Sequence, residues 1–378
     1  MDARDKPGHD ARESDCRGIM SVPSLASDPH FAIMLLTPES GSAGILKTPV
    51  VAFLFCLAAL LPLSAAGLAQ SATTCSIDDQ IPAERRAAIE AAGLSFVNAV
   101  LAGKPDQAYA SFTADTKAHM PADSFAQMVA GARQSFQGVQ GLHVGHSYLV
   151  TGADQGTAKR ITCGDTRQLE QFVTVEVQPV PLQAHLLIEG GTIGDSFTFV
   201  LWLVHASEGW EVQNLYLGMS AMTGRSAADL WHLARAEADR HHSFNAALLY
   251  AAANNLAERG NDFELGFRPE IQAEIARLKP PAALQGTSAL TWHLGGKAYK
   301  ILAVGPVGAR EKLYLMVNWQ TTSWQSDAEA EARNRALMTD FARVFPEYAD
   351  VFAGVILSEV ERETGRGYRS FYPVDKAQ

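Results

Sequence analysis

Charge and cysteine are both scarce in this chain. Only 19% of its 378 residues are charged, it has 4 cysteines, and no block of basic residues occurs. The formal net charge is −10, which makes nucleic acid and anionic membrane surfaces poor partners. No Cys-x-x-Cys pair is present, so neither thioredoxin-like redox chemistry nor a cysteine zinc site is indicated. A phosphate-cradling loop is also missing. Gly295-Gly296-Lys297 lacks the upstream glycine and the following Ser/Thr that a P-loop needs. The remainder is of ordinary globular composition, 47% apolar, and the length suggests two or three domains.

One long stretch lacks charge altogether. From Thr48 to Ala69 the chain reads TPVVAFLFCLAALLPLSAAGLA, follows Lys47, and ends in small residues at Gly67 and Ala69. A charged flank, an apolar run and a small-x-small end predict a signal peptide over 34–69, cut near Ala69-Gln70, and a periplasmic or secreted protein. The competing reading is an uncleaved anchor, since such a run could just span a bilayer. Pro62 and the Ser/Ala/Gly tail favour cleavage, so no stable membrane insertion is expected afterwards. Cys75 follows Ala-Thr-Thr rather than a lipoprotein's small-residue box, so no lipid is implied. Residues 1–33 are polar and out of place ahead of an export signal. They read as a spurious or disordered extension, with translation starting at Met34 or Met20.

Removing residues 1–69 takes away 5 of the 31 basic and 7 of the 41 acidic residues, leaving a net charge of −8. It also removes Cys16 and Cys56. The two cysteines that stay, Cys75 and Cys163, are expected to form one disulfide in an exported protein. The competing reading is two buried free thiols.

Helical signals come first in the exported part. PAERRAAIEAAGLSFVNAVLAG predicts a helix with Ala88, Ala91, Phe96 and Val100 near one face and Gly103 closing it. PDQAYASF reads as a short second helix. PADSFAQMVAGARQSF reads as a third, with Pro121 in its first turn. Strands then dominate: GLHVGHSYLV, FVTVEVQPV, AHLLIEG, SFTFVLWLV and GWEVQNLYLG. In order and in detail, FVNAVLAGKPDQAYASFTADTKAHMPADSFAQMV and GWEVQNLYLG resemble the helical opening and closing strand of the NTF2-like, cone-shaped α+β fold. The resemblance covers about residues 78–220, within a domain taken as 70–222. It implies three helices against a curling antiparallel sheet.

Residues 223–280 change character. SAADLWHLARAEADRHHSFNAALLYAAANNLAERG resembles a single tetratricopeptide unit, with Leu233 and Ala234 where that repeat has Leu-Gly and Ala246, Tyr250 and Ala253 at the small, aromatic and small positions of its second helix. Glu237 and Glu258 depart from that pattern. No second copy follows at a 34-residue period, so a helical hairpin is expected and not a solenoid. After the linker LKPPAALQG, residues 281–378 predict a small α+β domain. Its strands are LTWHL, KAYKILAV and KLYLMVNW. A helix follows, opened by a Ser326/Glu329 capping box, striped by Leu337, Met338, Phe341, Val344 and Phe345, and stopped by Pro346. GPVGAR reads as a turn between strands. The tail is either a hairpin turning at TGRG or a helix capped by Gly365. The fold class is α+β throughout.

Strand SFTFVLWLV is apolar on both faces. Phe197, Phe199, Leu201 and Leu203 point one way, and Val200, Trp202 and Val204 the other. A sheet with one wet face should alternate apolar with polar, so both faces must be covered. The three helices can take one. The Ala/Leu-rich pair at 226–259, or the domain after it, is expected on the other.

Chemistry-bearing residues form no assembled site in the sequence. Gly194-Asp195-Ser196 resembles the nucleophile block of the Gly-Asp-Ser esterases, and Asp229-x-x-His232 and Gly260-Asn261-Asp262 echo their later blocks. Those two blocks occur in reversed order, however, and Ser196 precedes a strand where that family's nucleophile leaves one. Ser196 is therefore read as a turn residue. His143 and His146, three apart on a strand, are expected on opposite faces. Glu237, His241 and His242 permit only a weak metal site, and histidines closing a helix are the commoner case. The aromatic runs around Trp202, Trp210 and Trp319 read as core. No metal or cofactor is implied.

The NTF2-like resemblance leaves two functional readings. Some members of that superfamily are isomerases and dehydratases that place Asp, His or Tyr in an apolar cavity, and here Asp115, His119, His143 and Tyr148 are candidates. Many others are non-catalytic. The reading favoured is an exported, non-enzymatic binding or assembly module for an unknown protein or small molecule. The alternative is a small-molecule enzyme of isomerase or dehydratase type using the cavity. A filled cavity favours the first, and converging ionisable groups in an open one favour the second.

Overall fold

The computed structural model describes residues 73–153, 159–285, 290–309 and 311–374. The segments read as signal peptide and spurious head lie outside the described residues. Among those described, no helix is long and apolar enough to cross a membrane.

The chain opens with β1 (Thr74–Ile77) and four helices: α1 (Ala83–Leu101), α2 (Pro105–Ala110), α3 (Ala114–His119) and α4 (Ala122–Ser135). The strands β2 (Gln140–Thr151), β3 (Lys159–Gly164), β4 (Phe172–Val177), β5 (Leu182–Gly191), β6 (Ser196–Ala206), β7 (Gly209–Met222) and β8 (Arg225–Ser226) follow. Six of them form an antiparallel sheet in the order β1-β2-β5-β6-β7-β8. The class is α+β.

Helix α1 buries Ile89, Gly93, Phe96, Val97 and Val100, whereas Ala88 and Ala91, expected on that face, are exposed. The stripe is rotated because Gly93 meets the sheet. A Cβ there would lie 2.4 Å from Leu186 Cδ1. Helix α3 had no apolar stripe to announce it; Thr113 opens it, its Oγ1 accepting from Thr116 N at 3.1 Å. Pro121 stands at the N-cap of α4, one step outside its expected place.

β6 keeps the expected two-sided alternation, because the irregularities in its pairing with β7 fall on β7. Phe199, Leu201 and Leu203 join Phe96, Phe112 and Phe125 in the core under the helices. The cover of the opposite face departs from expectation. It is a second, three-stranded sheet, β3-β4-β9, with β9 at Phe263–Leu265. Val200, Tyr148, Leu187 and Tyr216 of the large sheet pack there on Cys163, Val173, Val175, Val177 and Phe263. Thus FVTVEV does not extend the large sheet but roofs it, and β3, short and charged at its start, was not anticipated. The Cys75 and Cys163 sulfurs are bonded at 2.02 Å, with Cα atoms 5.5 Å apart. The bond ties β1, an edge of the large sheet, to the roof.

Helices α5 (Ala227–Asp239) and α6 (Ser243–Leu256) follow β8, and α7 (Arg268–Arg277) follows β9. Beyond them stand β10 (Leu290–Leu294), β11 (Lys297–Ala309), β12 (Lys312–Thr321), α8 (Asp327–Val344), α9 (Tyr348–Val351), β13 (Gly354–Glu361) and β14 (Gly367–Pro373). The five strands run in the order β10-β11-β12-β13-β14. Only β12 and β13 are parallel, as a helix-containing crossover requires. One core runs from Ala227 and Leu230 through Phe244 and Trp292 to Phe341 and Leu357. The apolar side of the helical pair is therefore spent on the C-terminal sheet. Phe244 stacks on Phe345 at 4.4 Å and Trp292 on Phe341 at 5.7 Å.

Several local expectations need correction in this half. GPVGAR is no turn: Gly305 to Ala309 continue β11, and the reversal lies beyond them, where Glu311 takes φ 61°. Gly295 and Gly296, at φ 55° and 76°, make the tight β10–β11 turn that glycine favours. Ser326 accepts from Glu329 N, but no reciprocal bond closes the capping box. Val344 is about half exposed, outside the buried stripe. The ambiguous tail is the hairpin β13–β14.

Candidate functional site

The space between the helices and the large sheet is the first place to look for chemistry. It is filled. Phe112 meets Phe96 and Phe125 edge-on, with ring centroids 5.2 and 4.9 Å away, and all three are fully buried. The four candidate residues do not converge there. Asp115 and His119 lie on α3 with side chains 63% and 57% exposed, 3.7 Å from each other. His143 is exposed and faces Glu189 at 3.7 Å. Tyr148 is buried on the opposite face, where burial pushes its hydroxyl pKa up.

His143 and His146 correct the expectation of opposite faces. The pairing of β2 with β5 slips between Val144 and His146, so His143 opposes Glu189 and His146 opposes Leu187. Residues 187 and 189 share a face of β5, and so do the two histidines. The extra residue, Gly145, breaks the period of two. They still take separate partners, His146 Nδ1 lying 2.8 Å from Asp78 Oδ2.

The esterase-like residues are occupied elsewhere. Gly194 at φ 92° and Asp195 form the turn into β6, and Asp195 Oδ1 accepts from Thr223 N at 3.1 Å. The Asp229 carboxylate accepts from Ser226 N and Oγ at 2.8 and 2.7 Å, capping α5. His232 Nε2 lies 3.1 Å from Glu170. Glu237 is buried and bound by Arg240 at 3.0 Å, His242 at 2.9 Å and Asn245 at 2.8 Å. These contacts hold the helical pair together. Among the described residues no group of three or more His, Cys, Asp or Glu is placed to hold a metal.

A cluster of buried polar groups lies under the roof, where the chain returns from α6 to β9. His185 and Gln183, two apart on β5, face it together. His185 is fully buried, stacks on Trp202 at 5.3 Å, and its Nε2 donates to the Glu176 carbonyl at 3.0 Å. A carbonyl can only accept, so Nε2 carries the hydrogen and Nδ1 is left bare, without a protein partner. Burial pushes the His185 pKa down to about 4, which keeps the ring neutral. Gln183 Oε1 accepts from Trp202 Nε1 at 3.1 Å, and its Nε2 donates to Gln178 O at 2.8 Å.

Beside them, Asp262 accepts from Asn214 Nδ2, and its backbone carbonyl accepts from Glu176 N at 2.8 Å. Burial raises both carboxyl pKa values, and for Glu176 the Asp262 charge adds to the rise. Arg259, also buried, donates to the Leu256 and Glu258 carbonyls at 2.6 and 2.7 Å, closing the C-terminus of α6. Burial lowers its pKa. The cavity among His185, Trp202, Asn214, Arg259 and Asp262 is about 20 Å³, room for one water and no substrate. Sequence reading named Trp202 only as core and Asp262 only in an esterase-like echo, and it passed over Glu176, Gln183, His185, Asn214 and Arg259. The available signal was the polar pair Gln183 and His185 at strand spacing inside an apolar run. Nothing local marks Asp262 as a partner of Glu176.

Compared with protein-family profiles, curated proteins and solved structures, the chain matches none.

Proposed function

We propose that this chain is an exported binding or assembly module, built from an NTF2-like domain, a tetratricopeptide-like helical pair and a C-terminal α+β layer. The observation that carries this reading is the packed Phe96–Phe112–Phe125 cluster. In NTF2-like enzymes that space holds an open cavity with ionisable side chains; here it holds aromatic rings. Asp115 and His119 sit together on the exposed side of α3, and His143 and Tyr148 share the roof-side face of β2, so none of the four lines the helix–sheet space. The Cys75–Cys163 bond is compatible with an oxidising, extracytoplasmic setting, which suits the apolar segment read as an export signal.

Two measurements test the reading. N-terminal sequencing of the chain from a fractionated host should find it outside the cytoplasm with a start near Gln70. Photocrosslinking in the same host, from positions replacing the exposed apolar residues Ile193 and Phe371, should give one reproducible adduct. A cytoplasmic, unprocessed chain would defeat the export part. A small molecule that stabilises the wild-type chain, with the effect abolished by substitutions lining the helix–sheet space, would move the assignment to an enzyme.

A further inference from the structure

The five-stranded sheet has one face under the helices and another that no described element covers. Leu313, Leu315, Val317 and Trp319 of β12 alternate inward, into the core that holds Phe341 of α8. The residues between them point the other way. Strand register lays out this outer face: Val307 beside Tyr314, Met316 beside Ile356, and Ile356 beside Phe371. None of these five belongs to a buried core or packs against one. Phe371 is 51% exposed, and its ring meets Tyr314 edge-on at 5.5 Å. Gly354, two residues before Ile356, gives that ring its seat, since a Cβ there would lie 2.7 Å from Phe371 Cε2. A contiguous exposed apolar patch with a polar rim marks an interaction surface.

The charges on this face are of one sign. Lys300 of β11 stands beside Gln320, Lys312 precedes Tyr314 by two residues, and Arg369 lies opposite Ser358, one row from Phe371. All three are exposed. Nearby Arg333 and Arg366 are paired, with Glu359 and Asp327, whereas these three have no ion-pair partner among the described residues. The only acids within the five strands, Glu359 and Glu361, are buried on the inner side, across from Trp319 and Thr321. Glu311 and Glu363 lie in turns beyond the strand ends. In a chain of net charge −10, an apolar block flanked by three unpaired cations is complementary to a partner of opposite charge. A second copy placed face to face would set the same cations against each other, which disfavours a symmetric dimer here.

Resting on the reading of the chain as a binding module, we propose that this outer face docks an acidic polypeptide segment. An aromatic or branched apolar side chain of that segment sits against Phe371, Ile356 and Met316, and its carboxylates reach Arg369, Lys312 and Lys300. The buried anchor supplies affinity, and the cations supply encounter rate and orientation. Single-stranded nucleic acid shares the charge, but Met316 and Ile356 offer its bases no stacking surface.

Selection of a random linear-peptide library on the full chain tests this. Enriched peptides should be net acidic around an aromatic or branched apolar residue. Their binding should weaken about tenfold or more in Phe371→Ser. It should weaken severalfold in Arg369→Glu and Lys300→Glu, and these two losses should shrink as salt rises. Both charge reversals are at exposed positions, so they keep the test decisive even if Phe371→Ser lowers stability. Peptides that bind yet ignore all three substitutions overturn this surface and leave the module reading standing. A selection with no binder, or with no acidic preference, also sinks the proposal. So does a single-stranded oligonucleotide that binds this face where acidic peptides do not.

Discussion

The two faces of the six-stranded sheet are covered by opposite means. Under the helices the contact is dry: Phe96, Phe112, Phe125, Leu186, Phe199 and Leu201 interlock, all but fully buried. Under the roof, apolar Val200, Leu187 and Val175 share the space with His185, Gln183, Thr198 and Asp262, all buried. Buried polar groups need partners, so the roof is held by specific bonds and a disulfide where the helices are held by area. A dry face tolerates small shifts of its cover, whereas a bonded one fixes register. The Cys75–Cys163 cross-link accordingly sits on the roof side.

The disulfide should give the largest effect. Cys75 and Cys163 are 88 residues apart, and the chain-entropy relation gives about 4–5 kcal/mol for so long a loop, an upper value. Reduction, or Cys75→Ser with Cys163→Ser, should lower the denaturation midpoint accordingly and loosen the roof first. Exchange protection should drop on β3 and β4 before it drops on α1. Equal loss on both faces would erase the contrast drawn above.

Next comes the dry face. Phe112 touches three aromatic rings and is fully buried. Phe112→Ala should cost about 3–5 kcal/mol through lost burial and the cavity left behind, read from chemical denaturation. Because packing there is shared among many residues, the loss should be global, with all protected amides falling together. A loss confined to α2 and α3 would mean the helices are a separate unit.

The dry face was legible in the sequence and the bonded one was not, for a physical reason. Burial by area leaves periodic marks: the two-sided run of β6, the helical spacing of α4, the stripe of α8. Where the mark was misread, as at Ala88 and Ala91, the true stripe lay one step round the helix, set by the close approach at Gly93. The requirement that β6 be covered twice was also readable. The identity of the second cover was not, because β9 is three residues long and pairs with a strand some ninety positions earlier. A buried acid such as Asp262 leaves no periodic trace, since it looks like an ordinary surface carboxylate until the chain closes.

His185 offers a pH test of the bonded face. Its folded pKa, about 4, lies below the ordinary histidine value, so the unfolded chain takes up a proton that the folded chain refuses. Its contribution is present in full above pH about 6.5 and is lost as pH falls toward 4, on the order of 3 kcal/mol at the extreme. His185→Gln should flatten the wild-type loss of stability over that acid interval. The core under the helices holds no buried His, Asp or Glu among the described residues, so Phe112→Ala should leave the slope unchanged. An acid slope surviving in His185→Gln would place its origin elsewhere.

The smallest effect is expected at Ser196, on the rim of the bonded face. It lies on the same side of β6 as Thr198 and Trp202, yet its hydroxyl makes no hydrogen bond among the described residues, and Asp229 and His232 are engaged with Ser226 and Glu170. No base is available to take its proton, so a fluorophosphonate should not label it. Ser196→Ala should change stability by less than about 0.5 kcal/mol. Its neighbour behaves differently, because Asp195 Oδ1 receives Thr223 N and lies against Gly308 of the C-terminal sheet. Asp195→Ala should therefore cost about 1 kcal/mol or more by leaving that amide without its acceptor. The pair separates a turn held by its aspartate from a site built on its serine: specific labelling of Ser196, or a larger loss from Ser196→Ala than from Asp195→Ala, would reverse the assignment.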